Sequence, residues 1–171
     1  RHGYEFLGLD HFAKKSDSLY KAYENKTMTR GFQGMTTHKS LPIWGIGPSA
    51  ISQWGDLYLQ NQSDFTKWSK NINDKDVIEK AYILSKRDSI VRELISDVYC
   101  YGEVIKEKYE SMCRIAFDSY FEKAQSKLKL LEKDGLVKVT SKSIKLTPAL
   151  GRLLARCVAS AFDDFLPEKA L

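Results

Sequence analysis

The stretch RGFQGMTTHKSLPIWGIGPSAIS, Arg30 to Ser52, limits the fold most strongly, because it holds four of the ten glycines and two of the four prolines in the chain. Glycine gives up more conformational freedom in a helix than any other residue, and an internal proline removes a helical hydrogen bond, so no long helix runs through this stretch. The sequence therefore has two textures. Strand-and-turn sequence extends to a polar connection, DFTKWSKNINDKD, that ends near Asn73, and amphipathic helical sequence follows it. The expected domains are 1–73 and 74–171.

In the first part, YEFLGLDHFA (Tyr4 to Ala13) has an aromatic and aliphatic run ending near Gly8 and then Asp10 and His11. This pattern predicts a buried, parallel-type strand feeding a functional loop. SDSLYKAYENKT predicts a short helix capped by Ser16 or Asp17. LPIWGIG reads as a strand breaking into a turn, and PSAISQWGDLYLQN as a helix start followed by an irregular or extended segment. Together these are βα sequence, so the first part is expected to be α/β.

In the second part, Ser85 and Asp88 form a capping-box-like start to a helix that places Ile90, Val91, Leu94, Ile95 and Val98 on one face. EVIKEKYESM predicts a second short helix. A third, about Asp118 to Lys133, buries Phe121, Ala124, Leu128 and Leu131 and stops at Gly135. LVKVT and SIKLT alternate apolar and polar residues and predict a hairpin. Thr147 and Pro148 then start a last helix, on which Leu150, Leu153, Leu154, Cys157, Val158, Ala161, Phe162 and Phe165 form an apolar stripe read as core.

Charge is unevenly spread. Lys123, Lys127, Lys129, Lys133, Lys138, Lys142, Lys145, Arg152 and Arg156 face only Glu132 and Asp134, so this segment carries +7 where the whole chain carries +5. A polyanion would be drawn to it. Cys100, Cys113 and Cys157 are odd in number and lack CxxC spacing, which argues against a disulfide framework or a self-contained metal site. No apolar run reaches the roughly 18 residues needed to cross a bilayer, and no secretory leader is visible, so the expected location is the cytoplasm. The opening at Arg1, without methionine, reads as a fragment of a longer protein.

In WGIGPSAIS, Gly45 and Gly47 stand at the end of an expected strand, where a missing Cβ would let a ligand approach the main chain. A helix start at Pro48 or Ser49 would aim free N–H groups at the same space. A tight turn with close packing is the competing reading, because a lone GxG is common.

GYEFLGLDHFA, RGFQGMTT, GIGPSAIS, GDLYLQN, DGLVKV and LTPALGRLLARCVASAFD occur in an order and at spacings that resemble the C-terminal part of the oxygen-independent coproporphyrinogen III dehydrogenases (oxidases). These are radical S-adenosylmethionine enzymes of haem biosynthesis. The resemblance covers nearly the whole chain, and DHFA followed by FQGMTT is its most specific element.

The resemblance implies the last βα elements of a partial TIM-like barrel, then a mainly α domain with a small, winged-helix-like β-hairpin. The implied reaction is oxidative decarboxylation of two propionates of coproporphyrinogen III to vinyl groups, giving protoporphyrinogen IX. It implies two cofactors, S-adenosyl-L-methionine and a [4Fe-4S] cluster held by a CxxxCxxC motif that this sequence lacks. The chain alone is therefore expected to be inactive, with no catalytic residue and no metal ligand of its own. Its implied partners are coproporphyrinogen III and the N-terminal catalytic barrel of the same protein, with neither membrane nor nucleic acid.

The implied S-adenosylmethionine contacts fall on Phe32, Gln33 and Ile51, and Gly45 and Gly47 would permit close approach. For His11, a structural role at a strand end ranks ahead of proton transfer. His38 and Lys39 read as variable loop, and Met35 replaces a common aromatic of the family. The basic segment becomes a lid over the barrel mouth, with Arg152 able to hold a substrate carboxylate bidentately. The rival reading is a winged-helix nucleic-acid-binding protein whose third helix presents Lys123, Lys127, Lys129 and Lys133, with only Gln125 able to read bases.

Overall fold

The structure is a computed structural model that describes residues 2–31, 33–38 and 41–166. β1 (Tyr4–Gly8) turns at Leu9 and Asp10 into β2 (His11–Lys14), and the two pair antiparallel with Phe6 opposite Phe12. The expected parallel strand is thus one arm of a hairpin. Leu9, with a left-handed φ of 51°, reverses the chain before any crossover can begin.

α1 (Ser18–Glu24) is capped by Asp17, whose carboxylate accepts from the Leu19 N–H at 2.7 Å. This decides between the alternatives Ser16 and Asp17. β3 (Thr29–Gly31) and β4 (Gly34–Thr36) make a second antiparallel hairpin.

Ile43 forms a lone bridge to Gln53 of β5 (Ile51–Trp54), which pairs with β6 (Leu57–Asn61). No helix begins at Pro48 or Ser49. Ser49 has φ 58°, and its N–H is committed to the Gln62 carbonyl at 2.9 Å, so the segment is a turn and that amide is not free for a ligand. After α2 (Phe65–Asn71), β7 (Ile78–Ile83) adds to the sheet beside β6.

α3 (Lys86–Tyr101) starts with the expected reciprocal cap: Asp88 accepts from the Ser85 N–H at 2.8 Å, and the Ser85 hydroxyl accepts from the Asp88 N–H at 3.1 Å. β8 (Glu103–Ile105) replaces the first turn of the expected second helix, which shortens to α4 (Lys106–Cys113). Pairing decides this, since Val104 is fully buried opposite Ile144.

The expected third helix is broken into α5 (Phe117–Tyr120) and α6 (Glu122–Lys133). Phe121 leaves the helical conformation at the break while its ring packs 4.7 Å from Phe117 and 5.5 Å from Phe162. A buried phenyl ring contributes about 2 to 3 kcal/mol, which outweighs one helical hydrogen bond. β9 (Val137–Val139) and β10 (Ser143–Leu146) form the expected hairpin, and β8 completes a sheet in the order β8-β10-β9.

The last helix is likewise two pieces, α7 (Leu150–Leu153) and α8 (Ala155–Ser160). Val158, Ala161 and Phe162 are buried as expected, but Leu150, Leu153, Leu154 and Phe165 are exposed. The break at Leu154 resets the helical phase, so the residues on its two sides no longer share one stripe.

The chain divides into two compact units, Arg1–Lys39 with Ile90–Leu171, and Ser40–Ser89. Asn73, the expected domain boundary, lies inside the second unit, between α2 and β7. The first unit holds two apolar cores. Leu94, Val98, Val104, Phe117, Phe121, Ile144, Val158 and Phe162 belong to one, and Leu7, Ala13, Ala22, Met28, Met35 and Cys100 form the other. The second unit is a three-stranded sheet in which only Asn61 is buried among the described residues. The class is mixed α and β, and every pairing among the described strands is antiparallel, in place of the parallel βα elements expected for residues 1–73.

Candidate functional site

In the second unit, the Gly45–Gly47 loop is held from beneath by β6. Asn61 Nδ2 donates to the Gly47 carbonyl at 2.8 Å and lies 3.4 Å from that of Gly45, and the Gly45 N–H donates to Ser52 Oγ at 2.9 Å. A Cβ on Gly45 would lie 2.7 Å from the main chain of Ile51. Gly45 therefore permits approach of the chain's own β5, the close-packing alternative. Gly47, with φ 101°, faces open space, with nothing within 4 Å of a Cβ placed there. Ile51 is half-buried, and the structure brings it together with Gly45 and Ser52. Beside the loop, Pro42, Ile43, Trp44, Trp54, Leu57 and Leu59 line a hollow of about 60 Å³. That is far below the roughly 300 Å³ of a small-molecule pocket, so this is an open apolar face.

In the first unit, Gln33 is exposed at the tip between β3 and β4, and its amide has no hydrogen bond among the described residues. Phe32 lies outside the described residues, as does Lys39. Behind the tip, His11 Nε2 accepts from the Met35 N–H at 3.2 Å. As an acceptor Nε2 carries no proton, which puts the ring's proton on Nδ1. Asp10 Oδ1 is 2.9 Å from Nδ1 but out of line for a hydrogen bond, so the contact is electrostatic only. This geometry makes His11 a brace for the β3–β4 hairpin, the structural role ranked first.

Arg152 is partly engaged within the fold. Its Nη2 donates to the Leu7 carbonyl at 2.5 Å and its Nη1 to the Tyr23 hydroxyl at 3.3 Å, which uses two of its five N–H donors. The guanidinium also lies over the rings of Phe6 and Tyr23, at 5.4 and 5.9 Å. Elsewhere in the basic segment, Lys145 is paired with Glu103 at 2.9 Å. Gln125, the possible base reader, donates to Asp118 and to the Phe121 carbonyl, each at 3.3 Å.

Sequence reasoning missed Arg30, Asn61 and a network around Asp97. Asp97 accepts from Lys108 at 2.7 Å and from the Tyr109 hydroxyl at 2.5 Å. Burial opposes the Lys108 charge, but Asp97 and Glu93 outweigh it and raise its pKa. Burial, reinforced by Asp97, pushes the Tyr109 phenol well above its ordinary range. Asn61 is the one buried polar residue of its strand, a signal present only once β6 is placed. Among the described residues, no group of three His, Cys, Asp or Glu could hold a metal, and no helix is long and apolar enough to cross a membrane.

Comparison with known proteins gives first a class and then a particular relative. The chain matches a solved radical SAM enzyme with a TM-score of 0.88 and 35% identity, over 96% of this chain and 38% of that one. That enzyme is the coproporphyrinogen III oxidase (HemN) of Escherichia coli. Curated relatives agree. The oxygen-independent coproporphyrinogen III oxidase of Pseudomonas aeruginosa is 39% identical over 167 residues, 97% of this chain and 36% of the relative. The protein of that name from Synechocystis sp. is 37% identical, over 98% of this chain and 37% of the relative. The chain is thus homologous to these oxidases and spans a little over a third of their length. No protein-family model matches it.

Proposed function

We propose that this chain is the C-terminal part of an oxygen-independent coproporphyrinogen III dehydrogenase. The complete product of its gene would convert two propionates of coproporphyrinogen III to vinyl groups, and this part alone would be inactive. One observation carries the reading: similarity of 34 to 39% identity covers at least 95% of the chain in relatives of that name. On this reading the first part of the chain belongs to the end of a partial barrel, and the winged-helix-like domain lies within 90–171. The order β8-β10-β9, with α3, α4 and α6 in sequence around it, supports the second description.

S-adenosylmethionine and a [4Fe-4S] cluster, when bound, supply the hydrogen-abstracting chemistry. For the first of these, the proposed contacts rest on the sequence motifs; within the first unit the exposed amide of Gln33, and within the second the open space at Gly47, leave room for a ligand at each. Gln33 can donate and accept, Ile51 offers an aliphatic contact and its main chain, and Phe32 keeps the role implied by FQGMTT. Gly45 acts indirectly, by seating Ile51. The cluster's ligands are proposed to belong to the N-terminal barrel.

The test is an anaerobic assay of the complete gene product with coproporphyrinogen III, S-adenosylmethionine and a low-potential reductant. Protoporphyrinogen IX and 5′-deoxyadenosine are the expected products. A cluster-loaded protein that yields neither would sink the reading.

The nucleic-acid alternative rests on the same sheet order and the lysines of α6, but Gln125 is already bonded to Asp118 and Phe121. Only phosphate attraction is then left, and it discriminates no sequence. Tight binding to one duplex over others at physiological salt would bring that alternative forward.

A further inference from the structure

Among the described residues, no acidic group pairs with Arg30. Its guanidinium carbon lies 4.4 Å from the ring centroid of Tyr99, which fixes its orientation. Nη1 is buried with no hydrogen-bond acceptor. A buried donor left without an acceptor is costly, more so on a charged group, so native structures rarely leave one unpaired.

Among the described residues, the surroundings add positive charge and no carboxylate that pairs with Arg30. Arg30 stands opposite Met35 across the β3–β4 hairpin. The Met35 Sδ-methyl carbon, the Tyr99 carbonyl and Arg152 Nη2 all crowd Gly8, at 3.2, 2.7 and 3.4 Å from where a Cβ would stand. Arg30, Tyr99, Met35, Gly8 and Arg152 thus form one patch of the first unit. Among the described residues, neither guanidinium has a carboxylate within ion-pairing distance. By contrast, Lys106, Lys108 and Lys145 each have one within 3.0 Å. Burial raises the pKa of the Tyr99 phenol, Arg30 and Arg156 oppose it and Asp163 reinforces it; among the described residues neither Arg156 nor Asp163 bonds Arg30.

We propose that Arg30, stacked on Tyr99, holds a carboxylate of a bound ligand. Arg152, two of whose donors are engaged by Leu7 and Tyr23, adds its positive field beside it. This rests on the proposed function, which supplies two carboxylate sources: a propionate of the tetrapyrrole and the α-carboxylate of S-adenosylmethionine. A guanidinium on a ring face keeps an edge for bidentate contact that a lysine cannot reproduce.

The experiment uses the complete gene product as wild type, Arg30→Gln and Arg30→Lys. Each is titrated with coproporphyrin III, with its tetramethyl ester and with S-adenosylmethionine. In Arg30→Gln, affinity for free coproporphyrin is expected to fall at least tenfold, with ester and S-adenosylmethionine affinities unchanged. A tenfold fall for S-adenosylmethionine instead would assign the carboxylate to that ligand. Affinities all within twofold of wild type, in a variant with wild-type Tm, overturn the proposal. If Arg30→Gln does not fold, Arg30→Lys decides, because it keeps the charge and loses the fork: unchanged binding of both acids rejects the carboxylate role. If the wild type binds no coproporphyrin, the substrate reading fails by itself, and Arg30 stands or falls on S-adenosylmethionine.

Discussion

His11 and Met35 lie 24 residues apart, and the imidazole of the first accepts the main-chain N–H of the second at 3.2 Å. The bond ties the β1–β2 hairpin to the β3–β4 hairpin, directly behind Gln33. Gly34 makes it possible, since a Cβ there would meet His11 Nε2 at 2.6 Å, and its φ of 120° disfavours any side chain. Gly34→Ala is therefore expected to destabilise the chain by about 1 to 3 kcal/mol in urea denaturation. A loss below about 0.5 kcal/mol would show that the ring moves aside freely.

Thr147 and Gly151 lock α7 to the turn after α6. The Thr147 hydroxyl donates to the Gly135 carbonyl and accepts from the Gly151 N–H, both at 2.8 Å. A Cβ on Gly151 would stand 2.0 Å from the Leu136 carbonyl oxygen, which is main chain and cannot swing away. Gly151→Ala should cost about 3 kcal/mol or more, and Thr147→Val about 1 to 2 kcal/mol. Equal effects would mean that the carbonyl clash is relieved.

Lys106 is 4% exposed, and its ammonium donates to Asp118 at 2.7 Å while lying over the Phe117 ring. Removing the partner of a buried charge is worse than removing the pair. Asp118→Ala is expected to destabilise by about 3 kcal/mol, and the double change Lys106→Met with Asp118→Ala by distinctly less. If the double variant is the weaker of the two, desolvation is not the controlling term.

Cys100, Cys113 and Cys157 are free, and Cys100 is buried. Burial pushes the Cys100 thiol from 9.0 up to about 11, so the folded state keeps that proton where the unfolded state has lost it. Its contribution to stability is whole below pH 9.0 and disappears as pH rises through about 11. Tyr101, pushed by burial from 10.0 to about 12, acts in the same sense. With a thiol reagent at pH 8, Cys113 and Cys157 should react first, and Cys100 only on unfolding. Equally fast labelling of Cys100 would contradict its burial.

Asn61→Leu removes both donors beneath the Gly45–Gly47 loop and leaves the Gly47 carbonyl without its 2.8 Å bond. A stability loss of about 1 to 3 kcal/mol is expected. In the complete gene product, S-adenosylmethionine binding should weaken severalfold, measured by calorimetric titration. Wild-type affinity would separate the loop from that site.

Much was legible where signals are local. Asp17 before α1, the Ser85–Asp88 cap of α3 and the β9–β10 hairpin depend on residues within a few positions of each other. The resemblance of the chain to its relatives was also legible, because it is carried by motifs in the sequence itself. Arg152 shows the limit. Its type suggested a carboxylate ligand, but its partners, Leu7 and Tyr23, lie 145 and 129 residues away.

By itself the sequence determined most of the amphipathic helical segments, the caps of α1 and α3, and the kinship of the chain. Tertiary structure alone decided that Tyr4–Gly8 joins an antiparallel hairpin, that helices break at Phe121 and Leu154, that Arg152 bonds Leu7 and Tyr23, and that Arg30 stacks on Tyr99. The reason is physical. A cap or an apolar stripe is settled by bonds and burial within one or two turns. A strand's partner, a ring's pocket and a guanidinium's acceptor are settled by groups that only folding brings within a few ångströms.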